Sequence, residues 1–205
     1  MSDINIIDSK FKEWTKGLGP KEARISVFKH IRDIPYAIAA ALRDPVTGPA
    51  GLLEGNCGSC NPKHNLLGRL FGKLGIPIKY ATYSFSWDDP AIKYPPELRE
   101  LIKRMPTGYH LAVKANIEGK WVLVDATWDP PLKKAGFPVN EAWDGVSGTK
   151  NAVTPIEEFL HDTMEERSRF DTEKRSYFTD AQKAVYAEFG GKLNAWLERV
   201  RRASA

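Results

Sequence analysis

At 205 residues the chain fits one domain and is long enough to bury a full apolar core. With 42% apolar and 27% charged residues it matches ordinary globular composition, which excludes a disordered or collagen-like chain. The net charge of +4 is modest and collects near the C-terminus (Arg199, Arg201, Arg202), with no basic stripe or nucleic-acid motif beside it, so a nucleic-acid partner is not expected.

The opening "MSDINIIDSKFKEW" has no basic region followed by an apolar run, so no signal peptide is expected. No window reaches the ~18 apolar residues of a membrane span, so no membrane partner is expected. Two closely spaced cysteines without an export signal suggest a reducing, cytoplasmic setting and no disulfide framework.

In chain order, residues 21–43 carry Ile25, Phe28, Ile31, Ile38 and Ala39 at roughly helical spacing, and Pro35 should split this run into two helices. "DPVTGPAG" reads as a loop. "NPKHNLLGRLFGKLG" reads as a helix, with Pro62 in its first turn, Leu66, Leu67, Leu70, Phe71 and Leu74 as its buried stripe, and Gly75 at its C-terminal cap. "IPIKYATYSF" alternates like a strand. A proline-rich connector with a short helix near 97–103 follows. A long polar loop covers 129–153. Two helices are expected to close the chain, near 154–170 and 179–201, the first opened by Thr154, Pro155 and Glu157.

"YHLAVKANIEGKWVLVDATW" reads as a hairpin. A two-residue turn at Glu118-Gly119 pairs Ile117 with Lys120. Leu111, Val113 and Ala115 then face Ala126, Val124 and Val122 as one apolar face. The same register makes His110 and Asp125 diagonal neighbours, and a one-residue slip would separate them.

An imidazole–carboxylate pair invites a nucleophile. Cys60 stands immediately before Asn61-Pro62, at the start of a helix, where unpaired N–H groups and the macrodipole favour a thiolate. Cys57 falls about one turn too early, in a glycine-flanked loop. The backbone N–H of Cys60 is a candidate oxyanion donor, and Tyr36 and Asn56 are candidates for a second. A helix-terminal Cys with His and Asp on successive strands has the logic of thiol acyl transfer.

These residues resemble the transglutaminase-like superfamily of papain-type Cys-His-Asp enzymes. The signature is a Gly-x-Cys at a helix start, a leucine-rich helix ending in Gly-Ile-Pro, a strand, then a His strand and Trp-x-x-x-Asp. Here these are Gly58-Ser59-Cys60, Leu66 to Leu74, Gly75-Ile76-Pro77, His110, and Trp121 to Asp125. The family spacing is met by Cys60 and not by Cys57. The resemblance covers about residues 22–130. Ala112 stands where the family often has an aromatic, and His64 where a small residue is common.

The resemblance implies a single α+β domain over 1–205, with the Cys helix packed on an antiparallel sheet bearing His and Asp, and a helical extension over about 154–202. It implies a cysteine-nucleophile hydrolase or acyltransferase: Cys60 attacks an amide or related acyl carbonyl, His110 moves the proton, and Asp125 orients His110. The substrate would be a peptide, protein or small-molecule amide, with Trp87 and Trp128 lining its groove and Trp143 as a further candidate. No cofactor or metal is required by this chemistry.

Two other readings of the residues stand beside it. One is a non-catalytic binding module on the same fold. The other is a zinc site built from Cys57 and Cys60 with His64 or His110. His30 and His161 read as ordinary helix residues.

Overall fold

The computed structural model describes residues 3–203. Helix α1 (Asp3–Thr15) and α2 (Pro20–Asp33) lead to α3 (Gly48–Gly55) and α4 (Cys60–Lys73). Strand β1 (Ile78–Phe85), α5 (Pro96–Ile102), β2 (Gly108–Ile117), β3 (Lys120–Val124) and β4 (Glu157–His161) follow, and α6 (Met164–Ser176) and α7 (Asp180–Arg202) close the chain. The four strands form one antiparallel sheet in the order β3-β2-β1-β4. The architecture is α+β. Among the described residues no helix is long and apolar enough to cross a membrane.

Two apolar clusters organise the molecule. The first joins α2 and α4 to one face of the sheet, through Val27, Phe28, Ile31, Leu66, Leu67, Leu70, Phe71, Leu111 and Val113. The expected stripe of α4 is therefore the stripe that is buried, and α4 ends at Lys73, just before Gly75. The second cluster joins α5 and α7 to Tyr36, Trp87, Trp128 and the loop beyond. Removing such side chains from water is the main stabilising term, at about 1.5–3 kcal/mol for each large one. Cys60 sits at the edge of the first cluster and Tyr36 and Trp128 in the second, so the space between them lies along the seam.

The hairpin has the expected register: Ile117 pairs with Lys120, Ala115 with Val122 and Val113 with Val124. Glu118 and Gly119 have φ of 53° and 84°, both positive as a type I′ turn requires. The ladder stops at Val113–Val124, two residue pairs short of the expected Leu111–Ala126 match. The next N–H groups are taken elsewhere: Asp125 N–H donates to Thr149 Oγ1 at 2.9 Å and Ala126 N–H to His64 Nε2 at 3.1 Å.

Four expectations change. No α-helix forms between Pro35 and Arg43; the segment is extended, with one 3-10 turn at Ala40–Leu42. Its backbone is held from afar, Tyr36 N–H by Asp129 Oδ1 and Ile38 N–H by Asn194 Oδ1, both at 2.8 Å. Part of "DPVTGPAG" belongs to α3, with proline in its first turn. The run 154–170 is not one helix. Glu157–His161 pairs with the outer edge of β1, and the helix begins only at Met164. Thr154, Pro155 and Glu157 imitate a helix start, but the capping box is Thr163 with Glu166. His161 accordingly lies on a strand rather than a helix. Helix α1 had no counterpart in the sequence reading.

Candidate active site

Cys60 is the first residue of α4, after Ser59 as N-cap. The chain arrives there through a bridge between Tyr36 and Gly58, with Gly58 N–H donating to Pro35 O at 3.1 Å and Ala37 N–H to Gly58 O at 3.2 Å. A Cβ on Gly58 would stand 2.5 Å from Leu52 Cδ1 and 3.0 Å from Pro62 Cγ, so this close approach needs glycine. The helix start leaves the Cys60 N–H without an intrahelical acceptor.

His110 comes from β2 and Asp125 from the turn that leaves β3. His110 Nε2 lies 2.8 Å from Asp125 Oδ2, and both side chains are buried. Cys60 lines the same cleft as this imidazole and interacts with it electrostatically, while its thiol lies 3.8 Å from Asn61 Oδ1. With Nε2 on the carboxylate, Nδ1 is left for the sulfur. Asp125 is held in turn: Oδ1 accepts from Thr127 Oγ1 at 2.6 Å and Thr127 N–H at 3.1 Å, and Oδ2 accepts from Ala152 N–H at 2.8 Å. Asn140 Nδ2 donates to the Asp125 carbonyl at 3.0 Å.

The electrostatics follow from these contacts. Burial pushes the Cys60 thiol up, but His110, the Leu111 backbone and Arg167 outweigh it, and the thiol lies below its ordinary value. Burial alone would lower His110; the Asp125 charge and hydrogen bond and the neighbouring Cys60 raise it well above an ordinary imidazole. Burial would raise Asp125, yet His110, His64 and Thr127 hold it far below the usual carboxylate range. All three displacements favour a thiolate beside an imidazolium.

Cys60, His110, Trp87, Trp128, Tyr36 and Tyr186 line a narrow cleft of about 30 Å³, room for about one or two waters. Trp143 lies elsewhere, packed against Phe28 and Phe71 in the first core. Asn56 is exposed in a left-handed helix cap at φ 45° and is not in the cleft lining, whereas buried Tyr36 is. Cys57 is half-buried and does not line the cleft. Among the described residues no group of three or more His, Cys, Asp or Glu is arranged to hold a metal ion.

Sequence reasoning named His64 as a possible metal ligand, and it did not foresee the contacts that buried His64 and Lys63 and half-buried Arg201 make around the site. His64 Nδ1 lies 3.0 Å from the Cys60 carbonyl, and His64 Nε2 accepts the Ala126 N–H, so the neutral ring carries its proton on Nδ1. Burial lowers His64 to about 4. Lys63 is fully buried, with Nζ on the carbonyls of Thr127 (2.7 Å), Arg32 (3.0 Å) and Ala126 (3.4 Å). Arg201 grips Asp129 with Nε and Nη2 at 2.8 and 2.9 Å and donates to the Tyr36 carbonyl at 2.8 Å. No local pattern announces these contacts, because their partners are 31 to 165 residues away or are backbone atoms.

No family model and no curated protein matches this sequence. Among solved structures, one from Cytophaga hutchinsonii described as "a putative cysteine protease" matches with a TM-score of 0.43 and 20% identity, over 78% of this chain and 50% of that one. One from Parabacteroides distasonis described as "a putative protease" matches with a TM-score of 0.39 and 19% identity, over 59% of this chain and 23% of that one. This chain thus spans about half of the first protein and a quarter of the second.

Proposed function

We propose that this chain is a transglutaminase-like, thiol-dependent acyl-transfer enzyme. Cys60 is the nucleophile, His110 the general acid and base, and Asp125 the residue that orients His110. The observation that carries the reading is a buried imidazole held by Asp125 at 2.8 Å in the cleft that Cys60 also lines from the start of α4.

In the resting state the proton sits on His110 and the negative charge on Cys60 sulfur. The sulfur attacks the carbonyl carbon of an amide. The C=O π pair moves to oxygen, beside the Cys60 N–H. As the oxyanion collapses, the C–N bond breaks and His110 gives its proton to the leaving amine, which leaves a thioester on Cys60. Water or an incoming amine then attacks, His110 takes its proton, and the C–S bond breaks to restore the thiolate. Hydrolysis and transamidation differ only in that second nucleophile. Trp87 and Trp128 flank the acyl group, and the substrate is a peptide, protein or small-molecule amide. None of these steps calls on a metal or cofactor.

The test is selective alkylation. Iodoacetamide at pH 6–7 should label Cys60 well before Cys57, because a free thiol near about 8.5 is mostly protonated there. His110→Ala should abolish that selectivity while circular dichroism reports a folded chain. Labelling of Cys57 first, or of both at equal rates, contradicts the assignment.

A further inference from the structure

A second cavity of about 520 Å³ adjoins the narrow cleft and shares Arg43 and Arg175 with it as a common wall. That volume falls in the range of small-ligand sites, roughly 300–1,000 Å³. Arg167, Asp171, Asn65 and Ser168 also line it. The sulfur of Cys60 feels the charge of Arg167, so the cavity lies on the flank of the same site.

The charges in this cavity are unevenly matched. Asp171 serves two arginines, with Oδ1 3.4 Å from Arg167 Nη2 and Oδ2 2.9 Å from Arg175 Nε. Asp44 is spent on its own loop: Oδ1 takes the N–H groups of Val46 and Thr47 and the Thr47 hydroxyl. Among the described residues no carboxylate pairs with Arg43. Its guanidinium lies over the Tyr186 ring at 5.5 Å, with Arg175 over the same ring at 5.4 Å. Stacking holds a guanidinium by its face and leaves its N–H edges for a planar anion.

Asn65 adds an independent sign. It is 3% exposed, lines the cavity, and its Oδ1 has no hydrogen-bond partner. A buried acceptor without a donor is destabilising, and a bound N–H would remove that penalty. A peptide offers a carboxylate for Arg43 and an amide N–H for Asn65.

We propose that this cavity binds a carboxylate-bearing peptide segment, with Arg43 as the direct carboxylate contact and Asn65 Oδ1 as the amide acceptor. Calling that segment part of the acyl substrate rests on the function proposed above; the binding site itself does not. The carboxylate is either an acidic side chain or a chain terminus.

Calorimetry on the Cys60→Ala protein separates these sources with three peptides: acetyl-Gly-Glu-Gly amide, acetyl-Gly-Gln-Gly amide, and acetyl-Gly-Gln-Gly with a free C-terminus. One or both acidic peptides should bind about tenfold tighter than the neutral one, the size of a charge-assisted hydrogen-bonded pair. Arg43→Gln in the same background should bring the ratio close to one, and Arg43→Lys should keep part of it. Equal binding of all three peptides, no binding at millimolar peptide, or a preference that survives Arg43→Gln overturns the proposal. Because binding is measured without the Cys60 thiol, a failure of Cys60 labelling in the unaltered chain would count against the acyl-transfer reading alone.

Discussion

His110 and His64 stand on opposite sides of one carboxylate, the first toward the cleft and the second toward the core side of α4. Asp125 Oδ2 is 2.8 Å from His110 Nε2, and Asp125 Oδ1 is 3.5 Å from His64 Nε2. Both rings are buried, yet His110 is raised and His64 is lowered to about 4. The difference lies in what else each ring touches. His110 lies between two groups that become negative, Asp125 and Cys60. His64 Nε2 faces a donor, the Ala126 N–H, and a proton added there would meet that N–H head-on. Proximity to a carboxylate therefore does not by itself charge a histidine; burial lowers both rings, and the neighbouring charges, Asp125 and Cys60 at His110 but also His110 and Lys63 at His64, decide the outcome.

The core side is built to stay unchanging. Lys63 meets three carbonyls, matching the three donors of an ammonium, although burial lowers it to about 7. Together Lys63 and His64 bind the backbone of Ala126 and Thr127, and so fix the turn that carries Asp125. The cleft side carries the groups whose charge the proposed reaction moves.

Asp125→Asn should break the contrast most. It removes the charge that raises His110, and alkylation of Cys60 at pH 6.5 should fall by about a hundredfold or more. Turnover of any substrate should fall with it. An unchanged alkylation rate would mean that the carboxylate does not hold the imidazolium.

His64→Leu should act on the other side of the comparison. It leaves the Ala126 N–H unpaired in the core, at a cost of about 1–3 kcal/mol. Urea unfolding measures this. Cys60 alkylation in the folded fraction should fall less than in Asp125→Asn, and a larger fall would make His64 part of the proton chemistry.

The pH dependence should separate the two rings by sign. His64 is lowered from its ordinary 6.5 to about 4, so its contribution to stability is complete above 6.5 and is lost as pH falls toward 4. His110 is raised, so its contribution is present below 6.5 and is lost only as pH climbs through the raised value. Urea midpoints at pH 7 and pH 4.5 should differ less for His64→Gln than for the unaltered chain. An equal difference would remove His64 from the acid-labile groups.

The smallest effect is expected at Gly119→Ala, at φ 84° in the hairpin turn. It should cost about 1 kcal/mol in unfolding experiments and leave the alkylation profile in place. A changed profile would mean that the turn, and not the core side of α4, sets the position of Asp125.

Much of the framework was legible because it is written in local periodicity. The stripe on α4, the alternation of β1, the I′ turn and the hairpin register that sets His110 beside Asp125 depend on residues near one another in the chain. The placement of Cys60 at a helix start came from Pro62 and the apolar run behind it. Helix α7 was legible for the same reason, with its start at Thr179 and Asp180.

What only the tertiary structure decided concerns segments whose hydrogen bonds close over long separations. Residues 34–39 have helical spacing but lie extended, because Asp129 and Asn194 offer their N–H groups better partners than a helix interrupted by Pro35 could. Residues 157–161 carry helix-start signals but join the sheet, because β1 had an unpaired edge. The neutral state of His64, the burial of Lys63 and the clamp of Arg201 on Asp129 and Tyr36 belong to the same class. A residue's type sets which hydrogen bonds and charges it is able to hold, and only the packed chain sets which partners come within about 3 Å.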